Sequence, residues 1–201
     1  MNRGQLLNLI RSTGVSKATA QAFENVDRAD FVPEELESVA YEDRPIPLPE
    51  NQTTSQPSLI AFVLDKLRVG KGDRVLEVGT GFGFQTALLS ELVGEKGLVV
   101  SIEHFEALHG QAKKRLAARK NVLLLHGDGK KGFAEKAPFD AIVVSAACAS
   151  LPQPLFEQLK EGGRLAYPQE TGFGQDLILV EKRGGRKKTT PLLPVAFVPL
   201  R

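Results

Sequence analysis

Residues 74–83 read Arg-Val-Leu-Glu-Val-Gly-Thr-Gly-Phe-Gly, an apolar run passing straight into three alternating glycines. The run Arg74–Val78 predicts a short buried strand, and the pattern after the glycines predicts a helix over Gln85–Leu92. Glycines between a strand and a helix let the backbone turn sharply and let a ligand come close. In doubly wound sheets that turn is where a nucleotide sits. A ligand-free tight turn is the plainer reading, and the surrounding pattern argues against it. Strands are expected at Gly97–Ile102, Asn121–Leu125, Phe139–Val144 and Gly163–Tyr167, with helices at Ala107–Arg119 and Leu155–Leu159. Almost wholly apolar strands alternating with helices imply a parallel sheet covered on both faces.

The two ends depart from that rhythm. Leu6, Leu7 and Ile10 recur at helical spacing, and Ser16 is placed to cap a second helix through Ala22 and Phe23. Tyr41–Gln56 holds Pro45, Pro47 and Pro49, which exclude a helix or central strand. An extended segment across the body of the protein is expected there. Leu59, Ile60, Phe62, Val63, Leu64 and Leu67 then mark an apolar helix with Pro57 in its first turn. At the other end, Asp176–Lys182 and Leu192–Val198 look like strands with no helix between them. Gly184-Gly185 suggests a closing antiparallel hairpin. The expected architecture is α/β: a doubly wound, mostly parallel sheet of about seven strands with an antiparallel C-terminal hairpin and an N-terminal helical extension. One domain covers 1–201, with a helical and extended cap at 1–54 and the core at 55–201.

Composition narrows the function classes. Basic and acidic residues number 26 and 24, a net charge of +2, which gives no broad footprint for nucleic acid or acidic membrane. Lys182–Lys188 holds five basic residues in seven, without the interleaved aromatics a nucleic-acid patch would want. One cysteine, Cys148, can form neither an internal disulfide nor a zinc cluster, and the three histidines need carboxylates to complete any metal site, so no metal is expected. No apolar run nears the ~20 residues of a membrane-spanning helix, and Asn8 and Arg11 interrupt any signal-peptide core. A cytoplasmic monomer is expected.

Spacing decides between nucleotide ligands. The loop is G-x-G-x-G over Gly79, Gly81 and Gly83, not the dinucleotide G-x-G-x-x-G. Glu77 at the strand's end would repel a pyrophosphate and attract an ammonium or sulfonium group. Glu103 ends the second strand, 20 residues after Gly83, where a carboxylate can accept from both ribose hydroxyls. Asp128, between Gly127 and Gly129, is read either as an acceptor for an adenine amino group or as a turn aspartate. Together these features favour S-adenosylmethionine over NAD. Before the apolar helix stand Thr53, Thr54 and Ser55, hydroxyls near a helix N-terminus and so a natural anion site. Residue types alone favour Ser55 as a simple N-cap.

The chain resembles the protein-L-isoaspartate O-methyltransferase family. The matching stretches are Gln52-Thr53-Thr54-Ser55-Gln56-Pro57, Arg74 to Gly81, Ser101-Ile102-Glu103, Gly127-Asp128-Gly129, Ala137 to Ile142, Gly162 to Leu165 and Pro194 to Leu200. The resemblance runs from about Phe31 to the C-terminus and implies a Rossmann-like methyltransferase domain. It places Ser55, with Thr53 and Thr54, in the catalytic site, and Glu77, Gly79, Thr80, Gly81, Gly83, Glu103, Asp128 and Gly129 at S-adenosylmethionine. It further implies damaged proteins with L-isoaspartyl residues as acceptors, methylated on the free α-carboxylate. Such a carboxylate has a pKa near ~3.5 and is already ionised, so no histidine need act as a base.

The chain departs from the family pattern at three places. Ser58 stands where the family often has histidine, Gln169-Glu170 replaces Val-Gly, and Asn51 replaces a glycine. Glu170 is expected to place a negative charge where it can approach the acceptor. A methyltransferase for another acceptor, and a non-catalytic nucleoside-binding relative, are the competing readings.

Overall fold

The computed structural model describes residues 1–201. Helix α1 (Arg3–Ser12) opens with a reciprocal cap between Asn2 and Gln5, and α2 (Lys17–Asn25) with Ser16 Oγ accepting from Thr19 N–H at 3.2 Å. Two 3-10 turns, Arg28–Phe31 and Glu34–Val39, follow. The proline-rich stretch then departs from the expected extended strap. It forms a small antiparallel hairpin of β1 (Ile46–Leu48) and β2 (Gln52–Thr54). Glu50 and Asn51 make the turn at φ 60° and 55°. Asparagine tolerates this left-handed region better than most side chains, so Asn51 can serve where the family has glycine.

Helix α3 (Pro57–Leu67) leads into the main sheet: β3 (Arg74–Val78), α4 (Phe84–Val93), β4 (Leu98–Glu103), α5 (Glu106–Arg115), β5 (Val122–His126), β6 (Phe139–Val144), α6 (Gln153–Glu157), β7 (Leu159–Thr171), β8 (Gly174–Arg183) and β9 (Arg186–Val195). The seven strands lie in the order β5-β4-β3-β6-β7-β8-β9. The first five are parallel, and β8 and β9 close the sheet antiparallel. The order of the final strands therefore follows the chain. The chain winds outward from β3 to β5 and then returns to β6. The crevice beyond the carboxyl ends of β3 and β6 is thus the topological switch point.

Several expected boundaries moved for local reasons. β7 starts at Leu159, which sequence placed in a helix, because a bulge between Phe139 and Ala141 re-registers β6 against β7. β9 starts at Arg186 rather than Leu192 and ends at Val195. Gly184 and Gly185 make the turn, with both N–H groups donated to the Glu161 carboxylate. No helix is long and apolar enough to cross a membrane.

Alternate residues of each strand serve opposite faces. Val75, Val99, Ala141, Val143 and Ala166 join a 26-residue core with α1, α2, α3 and α4. Leu76, Val100, Ile142, Leu165 and Tyr167 join a 15-residue core with α6 on the other face. The N-terminal helices dock through aromatic contacts: Phe84 meets Phe23 edge-on at 5.8 Å and Phe31 at 5.9 Å. Phe23 is 2% exposed. Phe23→Ala should cost about 3–5 kcal/mol by the usual cavity penalty. A urea titration should show a lower midpoint with an unchanged slope; a slope change would mean that the N-terminal helices unfold separately.

Candidate active site

The turn after β3 is built on a buried acid. Glu77 lies on the α4 face of its strand and is fully buried. Its Oε1 accepts from Gln85 Nε2 at 3.0 Å, and its Oε2 from Thr86 Oγ1 at 2.5 Å and Ser101 Oγ at 2.6 Å. Ser101 spends its one proton on Glu77, so it accepts from Thr80 Oγ1 at 2.6 Å. Burial pushes the Glu77 carboxyl up to about 7, against the downward pull of these three donors. The glycines then bend the chain over this acid, Gly79 at φ 94° and Gly81 at φ 58°. Gly83 (φ 98°) caps α4 and sits too close to Leu116 for a side chain.

The turn opens on a cavity at the switch point. It collects residues from the carboxyl ends of four parallel strands: Val78-Gly79 at the end of β3, Ile102-Glu103 at the end of β4, Gly129 after β5, and Ser145-Ala146 after β6. Glu103 is 4% exposed and receives Gly81 N–H at 2.8 Å on Oε2 and Phe105 N–H at 2.9 Å on Oε1. A carboxylate has about four acceptor sites, so both oxygens keep capacity for a further donor. Phe105 and Leu108 supply an apolar wall. A Cβ on Gly129 would fall 2.4 Å from Val78 Cγ1, so only glycine fits there.

Thr53, Thr54 and Ser55 line the same cavity. None of their three hydroxyls is committed to a hydrogen bond within the chain. Ser55 is not the N-cap of α3; Gln56 is, and it makes no side-chain cap. The capping is done from a distance by Asp43, which accepts from Ser58 N–H and Ser58 Oγ, each at 2.8 Å, and from Gln56 Nε2 at 2.9 Å. This corrects the expectation of an anion site at that helix N-terminus, because the chain's own carboxylate already answers it. Ser58 is accordingly turned towards Asp43.

Other expected residues fall outside the cavity wall. Glu77 and Gly83 stand behind it. Asp128 caps the short turn after β5 by accepting from Lys130 N–H at 2.9 Å, and the residue at the wall is its neighbour Gly129. Glu170 pairs with Gln175 across β7 and β8, donates its N–H to the Cys148 carbonyl at 3.0 Å, and lines neither the cavity nor its neighbours. His126 is exposed, with Nε2 3.0 Å from the His104 carbonyl, while His104 reaches the cavity rim.

Sequence reasoning missed Arg28. It is 2% exposed and donates to four carbonyls: Ala40 at 2.9 Å, Glu42 at 2.8 Å, Arg44 at 3.0 Å and Ser55 at 3.1 Å. Burial lowers its pKa to about 10, only partly offset by Asp43. The guanidinium therefore ties the segment before β1 to the backbone of Ser55. Its signal in the sequence is a lone arginine in a polar stretch, which no spacing rule singles out. Also missed were Phe31 and Leu48 from the cap and Val198-Pro199-Leu200-Arg201 from the C-terminus, all of which line the cavity.

The model of the protein-L-isoaspartate(D-aspartate) O-methyltransferase family matches residues 1–201. The chain belongs to this family. A protein-L-isoaspartate O-methyltransferase of Methanoculleus marisnigri is 45% identical over 194 residues, covering 95% of this chain and 87% of its own length. One from Methanothrix thermoacetophila is 41% identical, covering 100% and 95%. A solved family structure superposes with a TM-score of 0.90 at 34% identity over 98% of this chain, which spans 65% of that chain's length. A Plasmodium falciparum relative, solved with S-adenosyl-L-homocysteine, gives a TM-score of 0.89 at 25% identity, covering 100% and 99%.

Two substitutions test the polar supports. The raised Glu77 pKa means that the folded state binds a proton more tightly than the unfolded chain, so its contribution is fully present below about pH 4.5 and lost as pH rises through about 7. Glu77→Gln should flatten the decline in stability across that window, read as the difference between wild-type and variant denaturation midpoints at each pH. Arg28→Met strands carbonyls and should cost about 2–4 kcal/mol. It should also raise the KM for acceptor, since it frees the Ser55 backbone.

Proposed function

We propose that this chain carries out S-adenosylmethionine-dependent methylation of the free α-carboxylate of L-isoaspartyl residues in damaged proteins, the first step of their return to aspartate. The observation that carries the reading is the meeting, in one cavity, of a cofactor-type glycine turn with Glu103 and three uncommitted hydroxyls at Thr53, Thr54 and Ser55. Family membership over residues 1–201 agrees with it.

The residues present fit the cofactor. The Gly79–Gly81 backbone provides a cradle, Glu103 keeps acceptor capacity for ribose hydroxyls, and Phe105 and Leu108 can flank a base. Gly129 lets the turn after β5 pack directly on Val78 at the cavity wall. When bound, S-adenosylmethionine supplies a methyl group on positively charged sulfur, whose transfer to a carboxylate oxygen leaves an uncharged thioether. Glu77, Gly83 and Asp128 would act from behind the wall by holding the turns that form it.

The acceptor's carboxylate arrives ionised, so the chain need not remove a proton. Its work is to hold one oxygen in line and to exclude water while two charges are neutralised. Ser55 Oγ donates to the carboxylate, and Thr53 and Thr54 offer further hydroxyls. An outer groove, lined by Phe62, Leu193 and Phe197, meets the cavity at Thr53 and Ser55 and gives a flanking polypeptide its path. We further infer a cytoplasmic monomer that uses neither nucleic acid nor membrane as partner.

The test pairs an isoaspartyl peptide with its aspartyl twin in the presence of labelled S-adenosylmethionine. Transfer should go to the isoaspartyl peptide alone; equal transfer, or none, overturns the reading. Ser55→Ala should lower kcat/KM for peptide ten-fold or more while leaving S-adenosylhomocysteine affinity within about twofold. Glu103→Ala should show the reverse emphasis, with cofactor affinity falling by about ten- to a hundred-fold.

A further inference from the structure

The partner of the buried acid leads back into the cavity. Gln85, in the first turn of α4, uses its Nε2 twice: for Glu77 Oε1 at 3.0 Å and for Ser145 Oγ at 3.0 Å. The amide oxygen cannot face a carboxylate oxygen, so Glu77 fixes which way the amide points. Ser145 Oγ is therefore an acceptor in this contact, and its own hydrogen is left for another partner. The Ser145 backbone is held too, its N–H donating to the Val78 carbonyl at 2.8 Å.

Beside the main cavity lies a smaller, mainly apolar pocket. Ser55, Ile60, Gln85 and Ser145 line both. Two hydroxyls with free hydrogens thus come from different elements to one rim, Ser55 from the β2–α3 junction and Ser145 from the end of β6. No lysine or arginine belongs to that shared rim.

Resting on the carboxyl-methylation reading, we propose that Ser145 is a second anchor for the acceptor: its O–H, aimed by Gln85, donates to the acceptor carboxylate and sets which oxygen faces the cofactor. A carboxylate held by one donor can rotate and present either oxygen; two donors from different directions stop this. Neutral hydroxyls hold an anion more weakly than a guanidinium does, and so leave more charge on the oxygen that must react. Because Ser145 Oγ accepts from Gln85, which is bound to Glu77, its O–H is polarised towards the site. In this scheme Gln85 is a positioning residue.

The experiment compares wild type, Ser145→Ala, Ser145→Thr and Gln85→Leu on an isoaspartyl hexapeptide, with S-adenosylhomocysteine affinity and melting temperature measured for each. Ser145→Ala should lower kcat/KM for the peptide about tenfold, with cofactor affinity within twofold and melting unchanged. Ser145→Thr, which restores the hydroxyl, should recover most of the loss, and Gln85→Leu should lose activity in the same sense as Ser145→Ala. Wild-type rates in Ser145→Ala, an equal fall in cofactor affinity, or no rescue by threonine would each overturn the proposal while leaving the methylation reading standing. No transfer by wild type would overturn both.

Discussion

A carboxylate with no access to water sits under the cofactor turn, and the site depends on its being satisfied. Burying an ionised acid costs several kcal/mol unless donors replace the lost water. Glu77 finds them on three side chains, two from α4 and one from β4. The hydrogen bonds that keep this acid in place therefore also fix the angle at which α4 leaves β3. Through Thr80 they hold the glycine turn, and through Gln85 they reach the loop after β6. One buried acid thereby registers three stretches that are far apart in sequence: 77–86, the β4 residue Ser101 and Ser145 after β6.

Arg28 does the corresponding work on the acceptor side. Its four carbonyl partners belong to segments without regular structure. Loops buried against a body must place their backbone carbonyls somewhere, and a guanidinium with its fork of donors can serve several at once. Asp43 completes this arrangement by capping α3 in place of Ser55. The hydroxyl that the family pattern assigns to chemistry is free because neighbouring residues do the structural work it would otherwise do.

These two polar knots mark the limit of what the sequence discloses. Arg74–Val78 and Phe139–Val144 have the same bounds in the sequence reading and in the structure, because each is an apolar run between breakers. The glycine turn and Glu103 were legible as local spacing and the three hydroxyls before α3 through the family resemblance, and the fold brings them to one cavity. Glu77 was noticed as an acid in an apolar strand, but its donors lie 8, 9 and 24 residues away, so its burial was not. Arg28 and Asp43 act across loops and leave no periodic trace. The start of β9 was hidden because Arg186 to Thr190 are exposed on the sheet's edge, where no apolar alternation is required. The β1–β2 hairpin was hidden by its prolines, which suit an edge as well as they suit a strap.

That edge has a consequence for an enzyme that handles damaged chains. An unpaired outer strand invites any extended polypeptide to add to the sheet. β9 carries Arg186, Lys187 and Lys188 at one end and Pro191 and Pro194 at the other, all exposed. The charges resist desolvation and the prolines withhold two N–H groups from pairing. The basic run near the hairpin tip and the two prolines thus make the outer side of β9 a poor template for a further strand.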